Sequence, residues 1–78
     1  MEIAPGVSVD NAVCHGTPVL TGTRMPVSLV VAQLAGGVSV EEVMDEYRLT
    51  KDQVHTALAY AARLVEEIEV VAVAGAQA

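Results

Sequence analysis

Thr50, Lys51, Gln53, His55 and Thr56 sit within one short stretch of the sequence. Residues of these types read nucleic acids: Gln binds adenine edges, and Lys and Thr reach phosphate or guanine. Arg48 lies just before them, and Arg24 stands apart upstream. Arg24 closes the stretch Gly16-Thr17-Pro18-Val19-Leu20-Thr21-Gly22-Thr23-Arg24. There Gly22 is suited to a positive φ in a tight turn, and Thr23 to a hydrogen bond with nearby backbone. A planar guanidinium at that place could clamp a phosphate or carboxylate. The plainer reading, which we prefer, is an ion pair from Arg24 to a carboxylate of the second predicted helix.

Other chemistries lack their parts. A metal centre needs three or four converging ligands, and the sequence has adjacent Cys14-His15, a distant His55 and no ligand spacing. No base falls beside a nucleophile in any predicted element, so no hydrolytic triad can be built. Gly36-Gly37 has no Lys after it and is too short for a phosphate loop. The chain is therefore expected not to be an enzyme, to bind no metal and to need no cofactor.

The elements that must carry the candidate residues follow from periodicity and punctuation. Residues 1–26 are broken every few positions by Gly or Pro, leaving Val7–Val9, Ala12–Cys14 and Val19–Thr21 as short extended pieces of a small β-hairpin. After Pro26 the period changes. Val27, Val30, Val31 and Leu34 mark one face of a helix that stops at Gly36-Gly37. A second helix opens at Ser39, where Glu42 completes a capping box. Its apolar face is Val40, Val43, Met44 and Tyr47, and its other face is Glu41, Glu42, Asp45 and Glu46. A third helix opens at Thr50 with Gln53 as its box partner. The stripe Val54, Leu58, Ala61, Val65 and Ile68 predicts packing along the whole third helix. Beyond Glu69, the β-branched run Val70-Val71-Ala72-Val73 is read as an extended tail that orders on pairing.

Two helices joined around Arg48-Leu49-Thr50 have the spacing of a helix-turn-helix. This places Arg48, Thr50, Lys51, Gln53, His55 and Thr56, with Arg24, as candidate DNA contacts. A plain helical hairpin with solvated polar residues is the competing reading, and the carboxylates of the second helix favour it, since like charge opposes docking on phosphates.

Composition narrows the class further. The chain has 78 residues, a net charge of −6 and 53% hydrophobic residues, with Tyr its only aromatic type. Aliphatic residues must build the core. So many in so short a chain predict a homodimer or another partner. Acidity argues against a free-standing nucleic-acid binder. The single Cys rules out an internal disulfide. The sequence shows neither a signal peptide nor a membrane span, and a cytoplasmic protein is expected.

The run from Gly16 to Val27 resembles the G-x-P-x-(I/L)-x-G-T-R-(I/M)-x-V stretch of the domain-of-unknown-function 433 family. Gly37-Val38-Ser39-Val40-Glu41-Glu42-Val43 is similar to its G-x-S-x-E-E-(I/V) segment. Tyr47, Leu49-Thr50, Val54, Ala57-Leu58 and Tyr60-Ala61 resemble its Y-x-L-T-x-x-x-V-x-x-A-L-x-Y-A ending. Many members have Pro where this chain has Arg48. The resemblance, over about residues 3–69, implies a homeodomain-like three-helix unit behind a small β element. It also implies a bacterial antitoxin of the VapB type, with a PIN-like ribonuclease toxin as partner.

The sequence thus predicts a mainly α protein: a three-helix helix-turn-helix bundle with an N-terminal β-hairpin. Residues 1–26 form the β element, 27–69 the helical unit and 70–78 an apolar tail. The expected function is that of a dimeric antitoxin, with operator DNA as a candidate second ligand. Val65, Ile68, Val70, Val71 and Val73 are the expected partner-binding residues. A stand-alone transcriptional regulator and a structural dimerisation module are the alternatives.

Overall fold

The computed structural model describes residues 1–12 and 16–77, with side chains of the last helix described as far as Ile68. Three short strands lead the chain: β1 (Glu2–Ala4), β2 (Val7–Ser8) and β3 (Val19–Leu20). They form one antiparallel sheet in the order β1-β2-β3. The expected hairpin is therefore a three-stranded sheet, and β1 is the strand the sequence reading missed. Met1-Glu2-Ile3-Ala4 carries a single β-branched residue, so propensity gave no strand signal. Pairing supplies it, with Glu2 opposite Ser8 and Ala4 opposite Val7. The piece expected at Ala12–Cys14 begins in a turn: the Asp10 carboxylate accepts the Ala12 N–H at 2.9 Å. Val13, Cys14 and His15 lie outside the described residues.

The turn after β3 forms as its residues predict. The Thr23 N–H donates to the Leu20 carbonyl at 3.0 Å, and Gly22 has φ 81°. The Thr23 hydroxyl donates to the same carbonyl at 2.7 Å and accepts the Met25 N–H at 3.0 Å. The chain thereby folds back on β3, and Leu20 N–H meets the Met25 carbonyl.

Three helices follow: α1 (Val27–Ala35), α2 (Val40–Tyr47) and α3 (Lys51–Gln77). The Ser39 hydroxyl caps α2 by accepting the Glu42 N–H at 3.1 Å. The core is aliphatic, as the lack of rings requires. Val7 and Leu20 from the sheet meet Val27 and Val30 of α1, Val43 of α2, Leu49 of the turn, and Val54 and Ala57 of α3.

The end of the chain departs from expectation twice. The predicted extended tail is helix, because α3 runs on to Gln77. No Gly or Pro falls between Thr50 and Val73, and adding residues to an existing helix is far easier than nucleating one. Nor does α3 pack along its whole length. Its buried line is Val54 and fully buried Ala57, with half-buried Ala61, whereas Leu58 is 38%, Val65 52% and Ile68 67% exposed. The small Ala57, overlooked in favour of Leu58, is what lets α3 approach the body closely.

Candidate nucleic-acid interface and partner surface

The junction of α2 and α3 has the expected angular joint. Arg48 closes α2 in the left-handed conformation, φ 55° and ψ 46°, with its N–H donating to the Met44 carbonyl. The Leu49 N–H donates to the same carbonyl at 3.0 Å, and the Leu49 side chain is buried. Proline cannot adopt a φ of 55°. A Pro in place of Arg48 would therefore require a differently shaped turn.

The candidate reading residues divide into two sets. Thr50 and Gln53 are engaged with each other: the Thr50 hydroxyl accepts the Gln53 N–H at 3.1 Å, and the Gln53 side-chain oxygen accepts the Thr50 N–H at 2.8 Å. This reciprocal box satisfies two donors at the helix start and ties up the groups that base reading would need. Thr56 is half-buried against the β1–β2 turn at Gly6. Arg48, Lys51 and His55 remain exposed at the joint. Arg24 is elsewhere, exposed at the rim of a depression of about 440 Å³ shared with Met1, Ser8 and Asp10.

Charge around the joint is mostly negative. Glu41, Glu42, Asp45 and Glu46 are all exposed on α2, and Asp52 is exposed beside Lys51. Two cations against this set give duplex DNA little to dock on. Among the described residues, no group of His, Cys, Asp or Glu could hold a metal ion. Also among the described residues, no helix is long and apolar enough to cross a membrane.

A second feature lies along α3. Past the body its apolar line continues as Leu64, 41% exposed, and Ile68, with Val65 beside them. Of the expected partner-binding residues, Val65 and Ile68 are therefore exposed, and the side chains of Val70, Val71 and Val73 lie outside those described. Leu64 was missed. The signal was available: Val54, Ala57, Ala61, Leu64 and Ile68 repeat at steps of three and four, a line as regular as the one through Leu58. Beside Leu64 is an apolar groove of about 140 Å³, between the start of α1 and the middle of α3, lined by Pro18, Val27, Tyr60 and Ala61 among others.

Comparison with known protein families places this geometry. The family described as "Protein of unknown function (DUF433)" matches residues 7–61. The chain belongs to that family. The match runs from β2 to Ala61, so it covers β2, β3, α1, α2, the joint and the body-facing part of α3. The projecting remainder of α3 lies beyond it. No curated protein and no solved structure matches the chain.

Proposed function

We propose that this DUF433 chain is the antitoxin of a bacterial toxin–antitoxin pair, a dimeric helix-turn-helix protein that holds a PIN-like ribonuclease. The observation that carries this reading is the apolar line Leu64, Val65 and Ile68, left uncovered on a helix that outruns its own body. A contiguous apolar surface of that kind on so small a protein is a surface for partners. The exposed carboxylates of α2 add to it. A ribonuclease cleft is shaped for polyanionic RNA, and an acidic helix face complements it in charge. Between them, a second copy and the toxin would cover the apolar line and the acidic face.

The test is co-expression with the nuclease encoded beside it, followed by affinity capture through a tag on the nuclease. A stable stoichiometric complex supports the proposal. Recovery of nuclease alone at micromolar concentration rejects it.

Arg48, Lys51 and His55, exposed together at the joint, favour operator binding as a second reading. A gel shift on the upstream promoter at about 50 and 200 mM salt tests it, because neutralising several phosphates per dimer makes affinity fall by powers of ten over that range. The absence of any shift at the lower salt removes DNA binding by the isolated chain.

A further inference from the structure

We infer that α3 exchanges between two lengths in the free chain while the body stays folded: a long helix that holds Leu64 and Ile68 in line, and a short one that ends at Arg63-Leu64. The apolar line of the projection exists as one surface only in the long state. The inference goes beyond the antitoxin reading and holds whether or not a nuclease is the partner.

The support that the body gives to α3 runs out along the helix. Val54 and Ala57 are fully buried, Ala61 is half-buried, Leu64 is 41% exposed and Ile68 67% exposed. Leu64 is the last residue of this line to reach the body, at the groove that it lines with Pro18 and Val27. Every residue from Val65 to Ile68 is exposed. The match to the DUF433 family stops just before this boundary, at residue 61.

Beyond Leu64 the helix therefore rests on its own propensity, and that is low. Val65, Ile68, Val70, Val71 and Val73 are β-branched, and Gly75 follows. β-branched residues lose side-chain freedom in a helix, and Gly loses backbone freedom. Growth from an existing helix avoids the cost of nucleation, so the long state is populated. Even for good helix formers in the cold, though, each added residue gains a factor of only about 1–1.6. With residues as poor as these, long and short states lie close in free energy.

Charge decides where the opening stops. A helix shortening from its end passes through lengths at which Glu66, Glu67 and Glu69 fill the last turn. Carboxylates there oppose the partial negative charge of the helix end, so these lengths are disfavoured and shortening runs on. When the helix ends at Leu64, its last turn holds Arg63 instead, a cation that the same end favours. Two lengths are thereby selected over a graded series. A ligand that covers the line binds the long state alone and draws the population toward it. Its affinity is reduced by the fraction of chains that are short.

Amide hydrogen exchange of the full chain, followed residue by residue by NMR, tests the proposal. In the long helix the N–H groups of Glu67 and Ile68 bond to the carbonyls of Arg63 and Leu64. We expect these two amides to be protected less than about tenfold, against more than about a thousandfold at Ala57 and Leu58. Repeating the measurement on serial dilution keeps self-association apart. Protection at Glu67 and Ile68 that disappears on dilution supports the proposal, since cover then selects the long state. Protection that equals that of Ala57 at every dilution overturns it. A decline with no step at Leu64 is graded fraying and also overturns it. Glu67→Pro gives a second measurement, because Pro inside a helix removes an N–H and clashes with the carbonyl four residues before it. Tyr47 and Tyr60 are half-buried, so their fluorescence in urea reports the unfolding constant of the body. That constant should change less than about twofold if the projection opens by itself. A rise of more than about a hundredfold, as one cooperative unit would give, overturns the proposal.

Discussion

The side-chain methyl of Thr56 occupies the place that a Cβ on residue 6 would need, 2.7 Å away. Gly6 turns the chain from β1 into β2 at φ 76°, and its bare backbone rests on the second turn of α3. The contact pins the sheet to the helix that carries the joint. It also takes Thr56 out of the set of groups free to read a ligand.

Gly6→Ala should lose about 2 kcal/mol, of which roughly 1 comes from the left-handed backbone and the rest from the clash. Adding Thr56→Ser removes the clashing methyl and should restore only the steric part. Urea midpoints of the two single variants and the double variant separate the components. An unchanged midpoint for Gly6→Ala would show that the approach is loose.

Thr50→Ala should destabilise by about 1 kcal/mol through loss of the cap of α3. Gln53→Ala, which removes the acceptor for the Thr50 N–H, should cost about 0.5 kcal/mol. Thermal unfolding of both variants measures this. If DNA affinity by gel shift falls further than stability does, these residues read bases as well as cap the helix.

Arg48→Gly should raise stability by about 0.5 kcal/mol, since relief of the left-handed strain outweighs the entropy that Gly adds to the unfolded chain. Arg48→Pro should lose about 3 kcal/mol: its φ cannot reach 55°, and the N–H that meets the Met44 carbonyl is gone. Chemical denaturation gives both values. Equal stability of the two variants would contradict the turn geometry.

Leu49→Ala should lose about 3 kcal/mol by opening a cavity under the joint. That is a large share of the roughly 4–12 kcal/mol expected for a domain of this length. Leu58→Ala, at a position 38% exposed, should cost less than about 1 kcal/mol. Reversal of this order would place Leu58, not Ala57, on the buried side of α3.

The helix starts were legible because capping is local. Ser39 with the Glu42 N–H, and Thr50 with Gln53, act within one turn, so residue type and spacing suffice to place them. The stop at Gly36-Gly37 and the turn at Gly22 were legible for the same reason. β1 was not, because a strand of weak propensity exists only through its neighbour.

From the sequence alone came the three helices, the joint at Arg48 to Thr50, the acidic face of α2 and the aliphatic core, since each depends on residues a few positions apart. Only the tertiary structure chose Ala57 over Leu58 as the buried residue, set Thr56 on Gly6, and left Leu64, Val65 and Ile68 uncovered. Two apolar lines of equal regularity run along α3, and nothing within the helix distinguishes them. The choice falls to whichever line lets the body pack closest, and that is settled by residues of the sheet and α1, distant in sequence, pressing against the side of the helix where the small alanine lies.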